Sequence, residues 1–228
     1  MLIRVRRMSA VQRLMHWLLA LSILVCFATG LYIASPMLLR PVGWGPADTL
    51  VMGNVRFVHF VFAMLVDVAF LAWFYLFFFS QDHPLIRSLL PLGQRTKEAL
   101  QMLGHYFTVR NKPRTNDPHI DPLNAFGFLL IHFLVFIQLL TGFALMRPTF
   151  SHANSALPIW PWILQIAESV SIAMLGSLVV VRQVHHLAAF LIVALAIIHI
   201  YLQVWRDAFW TEGHISVVVS GYKYVERD

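Results

Sequence analysis

The sequence predicts an all-α integral membrane protein, a four-transmembrane-helix bundle. Hydrophobic residues make up 59% of the chain and charged residues 12%, about half the charge of an ordinary soluble domain. Four stretches, about 12–34, 55–79, 124–147 and 183–209, stay apolar over the roughly 20 residues that a helix needs to cross the hydrocarbon of a bilayer. The basic residues divide unevenly between the loops that join them, as a fixed membrane topology requires. Residues 1–228 are expected to form a single domain.

The elements follow in order. Basic residues precede the first apolar run, which is also the pattern of a secretory signal. The run is too long for a typical signal core, and it contains His16, so it reads as a retained helix. Residues 35–54 hold Pro36, Pro41, Gly43, Gly45 and Pro46 and read as a compact outer loop. The loop over 80–123 is punctuated by Pro84, Pro91, Pro113, Pro118 and Pro122. Between them, residues 94–109 suit a short interfacial helix, with Leu100, Leu103 and Phe107 on one side and Arg95, Lys97 and Glu98 elsewhere. A fifth apolar stretch, about 159–181, is interrupted by Pro158, Pro161 and Glu168. It reads as a surface helix or loop, with a five-helix alternative left open. An even number of crossings is favoured because it puts both termini on one side.

Charge sets the orientation. Arg4, Arg6, Arg7 and Arg13 lie at the first span, Arg87, Arg95, Lys97, Arg110, Lys112 and Arg114 in the second loop, and Arg206, Lys223 and Arg227 at the end. The other side carries only Arg40, Arg56, Arg147 and Arg182, a division of thirteen to four. The positive-inside rule then makes both termini and the middle loop cytoplasmic, in a multi-pass protein of the cell inner membrane. The net charge of +6 is therefore a topology signal. No nucleic-acid partner is expected, since no separate soluble domain exists to carry one. Cys26 is the single cysteine, which excludes a disulfide framework, a C-x-x-C-H attachment site and an iron–sulfur ligand set.

His185 and His199 stand fourteen residues apart in one apolar run. At about 100° and about 1.5 Å per residue they return to nearly one helix face, roughly 21 Å apart along the axis. His16 and His59 lie near the ends of two other runs. Sorted by depth under the topology above, His16 joins His199 as an inner pair and His59 joins His185 as an outer pair. Two imidazoles on opposite faces of a porphyrin give six-coordinate iron, suited to one-electron transfer because no ligand must leave. The arrangement therefore points to two haems, non-covalently held, and to electron transfer across the membrane. The four histidines are the expected ligands of the haem iron.

The neighbouring residues fit. Arg13, Arg56 and Arg182 each precede a histidine by three positions, and Arg206 follows His199 by seven; all four are candidates to neutralise haem propionates. Against this stands the ordinary tendency of interfacial arginine to reach lipid headgroups. Gly30, fourteen residues after His16, and Gly142 are candidates to make room for a macrocycle, or simply to let helices approach. His186 points about 100° away from His185 and suits a propionate or surface partner. His132 has no mate at its depth and suits a hydrogen-bonded structural role. His83, His105, His119, His152 and His214 fall in loops or tails.

Several segments resemble the b-type cytochrome subunits of membrane-bound nickel–iron hydrogenases, a family related to the cytochrome subunits of formate dehydrogenase. They are Arg13-Leu14-Met15-His16-Trp17 running to Thr29-Gly30, Met52 through Phe60, Leu140-Thr141-Gly142-Phe143-Ala144-Leu145, His185-His186-Leu187 and His199-Ile200-Tyr201. The tail Ile215–Lys223 resembles the hydrogenase branch in particular. His186 stands where the family usually has Arg, Phe190 where it usually has Trp, and His119–Asn124 matches the usual Gly-His-Asn-Pro only loosely.

The resemblance implies two haem b groups, a periplasmic partner made of an iron–sulfur small subunit and a nickel–iron large subunit, and a membrane quinone as electron acceptor. This chain has no ligands to split hydrogen itself. The quinone pocket is expected near the inner surface, with His199, Asn124, Asp121 and His119 as candidates by depth and Asn124 favoured by the formate dehydrogenase resemblance. A cytochrome of formate dehydrogenase or thiosulfate reductase would keep the histidines but not the tail. A haem-free transporter would use intramembrane histidines as a proton relay, and a structural anchor would tolerate their loss.

Overall fold

A computed structural model describes residues 2–35, 46–79, 93–108, 122–149, 158–210 and 214–226. The described elements run β1 (Leu2–Arg6), α1 (Ala10–Ala34), α2 (Pro46–Phe79), α3 (Gln94–Thr108), α4 (Pro122–Met146), a 3-10 turn (Arg147–Thr149), α5 (Trp160–Leu175), α6 (Leu178–Trp210), α7 (His214–Ser220) and β2 (Tyr222–Glu226). Four helices are long and apolar enough to cross a membrane: Ala10–Ala34, Leu50–Phe79, Pro122–Met146 and Leu178–Phe209. The chain divides into two compact units, one of Met1–Phe126 with His199–Asp228 and one of Gly127–Ile198.

In the first unit, α1 begins where Ser9 and Gln12 close a capping box. The Ser9 hydroxyl accepts the Gln12 backbone N–H at 3.2 Å and the Gln12 side-chain oxygen accepts the Ser9 N–H at 2.8 Å. Two otherwise orphaned donors are thereby satisfied at the point where helix must begin. With 25 residues, α1 is about 37 Å long, enough for the roughly 30 Å of hydrocarbon. Leu14, Leu21, Leu24 and Leu31 on α1 are exposed. Water would penalise such a surface and lipid would not. α2 packs on α1, and Leu19 of α1 and Val66, Ala69 and Trp73 of α2 are buried.

Residues 46–54 are helical, which corrects the expectation of a loop over 35–54. Proline read as a loop signal is here the first residue of α2, a position that needs no N–H and suits the fixed φ of proline. Residues 36–45 lie outside the described residues. The helix expected over 94–109 is α3, but the residue it buries is Met102 against Arg206, while Leu100 and Leu103 are exposed.

The expected all-α class needs a second correction. β1 and β2 pair antiparallel, Leu2 opposite Glu226 and Arg6 opposite Tyr222, so the chain is mostly helical with a two-stranded sheet joining its ends. Ile3-Arg4-Val5-Arg6 and Tyr222-Lys223-Tyr224 alternate apolar and polar residues, the period of a strand. Neither segment is long enough to declare itself without the other. The Arg4 guanidinium lies 3.6 Å from the centre of the Tyr222 ring, a cation–π contact across the pair. A two-stranded ribbon is marginal by itself, and here it is braced. Gly221, at φ +87°, turns the chain from α7 into β2, and its carbonyl accepts N–H bonds from both Arg7 (2.8 Å) and Met8 (3.1 Å). A Cβ at Gly221 would collide with the Arg13 guanidinium and the Met8 carbonyl.

In the second unit, α5 covers most of the fifth apolar stretch as a helix of 16 residues, about 24 Å and short of a crossing. Gly176, at φ +86°, ends it with its N–H on the Ile172 carbonyl at 2.7 Å, and α6 starts two residues later. Glu168, whose charge argued against a crossing, lies 4.0 Å from Arg147. Leu164, Ala167 and Ser171 form the buried face of α5. Leu134, Val135, Ala144, Val181, Ala188 and Ile192 are buried on α4 and α6.

Lys223 is nearly buried in β2. Burial, together with the positive charges of Arg7 and Arg206, lowers its ammonium from the usual 10.5 to about 7, against an opposing pull from Asp207. Released from the fold, Lys223 keeps its proton to about 10.5, so between these values the docked tail binds fewer protons. Docking therefore strengthens as pH rises through that window and is flat below it. In detergent, tail residues 215–226 should resist protease better at pH 9 than at pH 6.5, measured as the ratio of wild type to Lys223→Met. A ratio that does not change with pH would remove the effect.

Candidate functional site

Two of the four histidines sit in matching surroundings. In the first unit the Thr29 hydroxyl donates to the Val25 carbonyl one turn back at 2.7 Å. With that proton on its own helix, the oxygen is left to accept from His59 Nδ1, 2.9 Å away. In this arrangement His59 Nδ1 carries the proton and Nε2 the lone pair. In the second unit Thr141 donates to the Ile137 carbonyl at 2.6 Å and meets His185 Nδ1 at 2.9 Å. The same reasoning puts the lone pair of His185 on Nε2. A neutral imidazole with its Nδ1 proton on an acceptor and a basic Nε2 is the form that binds a metal.

A glycine follows each threonine. A Cβ at Gly30 would stand 3.4 Å from His59 Cε1, and one at Gly142 would stand 3.4 Å from His185 Cε1. Both glycines thus lie against a histidine ring, where they give the ring room to approach the neighbouring helix. The His59 backbone carbonyl accepts the Cys26 thiol at 3.7 Å. Gln138 Nε2 donates to the His185 carbonyl at 2.7 Å, anchoring the backbone that carries that ring.

The other two histidines differ. His16 and His199, both in the first unit, are close enough for a charge on one to be felt at the other. His16 Nδ1 is buried and has no hydrogen-bond partner among the described residues. A buried ring nitrogen of this kind is costly unless something binds the imidazole. His132 points elsewhere: its Nδ1 donates to the Phe128 carbonyl of its own helix at 2.9 Å, and its ring stacks on Phe128 at 3.7 Å. The His186 ring is 6.4 Å from that of His185 and tilted by 60°.

The remaining candidates scatter. Arg13 donates to the Ser220 carbonyl at 2.7 Å, and one turn on Trp17 Nε1 donates to the Val218 carbonyl at 2.9 Å. The segment around His16 is thereby tied to the C-terminal tail. Arg56 and Arg182 are exposed. Arg206 is buried beside Met102, its Nη2 3.7 Å from Sδ. Asn124 Oδ1 accepts Gln203 Nε2 at 3.0 Å, with Gln203 one helical turn beyond His199. His119 and Asp121 lie outside the described residues.

The prokaryotic cytochrome b561 family matches residues 7–221. The chain belongs to that family. It is 31% identical over 214 residues to a protein of Cupriavidus necator described as a probable Ni/Fe-hydrogenase B-type cytochrome subunit, covering 92% of this chain and 83% of the relative. A Rhodobacter capsulatus protein with the same description is 28% identical over 218 residues, covering 95% and 80%. A probable Ni/Fe-hydrogenase 1 B-type cytochrome subunit of Escherichia coli K12 is 26% identical over 216 residues, covering 92% and 87%. A b-type cytochrome holds haem b through axial side chains without covalent attachment. The imidazoles here fit that group: His59 and His185 present Nε2 as the basic nitrogen, and His16 has a buried ring that lacks a partner at Nδ1.

Sequence reasoning gave no role to Thr29, Thr141, Gln138 or Gln203. The signal for the first two was present as the repeated pair Thr-Gly in two apolar runs. Asp67 was also passed over, although a carboxylate in an apolar run is a functional candidate by default; it lies near Cys26.

Gly30→Ala and Gly142→Ala should retain haem, because 3.4 Å is ordinary contact. Gly30→Leu and Gly142→Leu should displace the ring at an overpacking cost of about 1–3 kcal/mol. Pyridine haemochrome analysis per polypeptide reads the result. Full haem content in both leucine variants would show that the rings do not need this space.

Proposed function

We propose that this protein is the membrane-anchoring dihaem cytochrome b subunit of a nickel–iron hydrogenase, passing electrons from hydrogen oxidation to the membrane quinone pool. The observation that carries haem ligation is the pair of threonine-held imidazoles, each with Nδ1 as donor and Nε2 as basic nitrogen. His16 and His199 would hold one haem, and depth in the sequence assigns His59 and His185 to the other. The haems, when bound, would carry single electrons between the two membrane faces. Single imidazoles suit a macrocycle that already supplies four nitrogens. Among the described residues no three His, Cys, Asp or Glu side chains gather to hold an ion without one.

The chain's own residues supply the rest. His59 lies at the end of the molecule expected to face the periplasm, where an iron–sulfur small subunit and a nickel–iron large subunit would dock. Asn124, tied to Gln203 one turn beyond His199, is the best-supported quinone contact, with Asp121 and His119 preceding it in the chain. Arg13, Arg56, Arg182 and Arg206 remain the cations available for propionates. Of these, Arg13 is already engaged with the Ser220 carbonyl and Arg206 with Met102. Gly30 and Gly142 act through the histidine rings. The pairing of β1 with β2 supports an even number of crossings, and the excess of basic residues puts that end in the cytoplasm. Exposed Leu100 and Leu103 on α3 suit a helix lying at the interface.

Hydrogenase association is supported by the likeness to relatives described as probable Ni/Fe-hydrogenase B-type cytochrome subunits. Adding hydrogen to membranes containing this chain should reduce its haems only when the hydrogenase subunits are present, followed optically. The purified chain should yield about two haems per polypeptide. Haems reduced by formate and never by hydrogen, with both enzymes present, would move the chain to the formate dehydrogenase branch.

A further inference from the structure

We infer that Thr29 and Thr141 are positioning residues that fix the tautomers of His59 and His185 and thereby lower the potential of the haem iron those histidines bind. The inference rests on the haem-ligation reading and adds to it a role that the ligand set alone does not contain. Each hydroxyl has one proton, and each spends it on its own helix: Thr29 on Val25 at 2.7 Å, Thr141 on Ile137 at 2.6 Å. What remains toward each imidazole is an acceptor at 2.9 Å. Were the tautomer reversed, two lone pairs would face one another across that gap. With its proton on its own helix, the threonine favours the tautomer whose Nε2 is free to bind iron.

The same bond has an electronic consequence. An acceptor on Nδ1–H draws the proton outward and leaves more electron density on Nε2, which makes the imidazole a stronger donor. A stronger axial donor stabilises ferric over ferrous iron and moves the potential negative. The arrangement recurs on two different helices with the same distance and the same following glycine, Gly30 and Gly142, each lying against the histidine ring. His16 has no such acceptor on its buried Nδ1 among the described residues.

The test uses the full chain with its haems, purified, in the variants Thr29→Val, Thr141→Val, Thr29→Ser and Thr141→Ser. Valine keeps the shape and removes the acceptor; serine keeps the hydroxyl. Redox titration followed optically should show one haem moved to more positive potential in each valine variant. The expected change is about tenfold in its oxidised-to-reduced ratio at fixed ambient potential, or about 59 mV for one electron. The serine variants should stay near wild type, and the low-spin ferric resonance of the affected haem should shift with its potential. Haem lost in a valine variant but kept in the matching serine variant also supports the inference. Unchanged potentials and resonances in both valine variants, or haem lost from valine and serine variants alike, would overturn it. If the two valine variants move different haems, the positioning role stands and the assignment of His59 and His185 to one haem falls.

Discussion

Inside hydrocarbon no water is available, so every backbone donor and acceptor, and every side-chain proton, must be satisfied by the protein itself. The helices answer this for the backbone. The threonines answer it for themselves by bonding to the carbonyl four residues earlier, Thr29 to Val25 and Thr141 to Ile137. That local solution has a consequence beyond the helix. A hydroxyl whose proton is spent can face a neighbour only as an acceptor, so the neighbour must be a donor. The carbonyls of Val25 and Ile137 thus bias which ring nitrogen of His59 and His185 carries the proton.

The first unit shows how a chain end can become part of a site. The segment Arg13–Trp17 and the tail Ile215–Lys223 lie at opposite ends of the sequence, yet Arg13 and Trp17 donate to the Ser220 and Val218 carbonyls on successive turns. These two carbonyls belong to α7, where the final turn of a helix leaves acceptors without internal donors. Arginine and tryptophan from α1 supply donors there, while Gly221 offers its carbonyl to Arg7 and Met8. The tail therefore holds the start of α1 in place, and His16 lies between the two residues that grip it. Variation in the tail would be felt at His16 through these contacts.

The four spans were legible because long apolar runs have few other uses, and the histidines because an ionisable ring in such a run is expensive. The sheet was not. Leu2 and Glu226 pair across nearly the whole chain, and each strand has only five residues, so the periodicity of either alone is weak. α2 begins at Pro46 in a segment whose Pro and Gly content signals a loop, since proline reads alike as a breaker and as a first helical residue. Gly30 and Gly142 were singled out as room for a macrocycle or for helix approach, and each lies against an imidazole ring. Nothing in the sequence says which helix faces Thr29 or Thr141, and the partner of a hydroxyl depends on that. His119 and Asp121 lie outside the described residues, so Asn124 alone of the three has a described setting.

His132 shows that the partner, rather than the residue type, decides what an intramembrane histidine does. It lies in the same helix as Thr141 and in an equally apolar run. Its Nδ1 proton goes to the Phe128 carbonyl of its own helix, and its ring lies flat on Phe128, 3.7 Å between centres and 21° from parallel. A ring bound to its own helix follows the helix surface. His59 and His185 instead turn Nδ1 to a threonine oxygen of a neighbouring helix, which holds the ring away from its own backbone. Holding the ring in this way takes a second helix that offers an acceptor to Nδ1. A back-bonded threonine followed by glycine provides both the acceptor and the space for the ring.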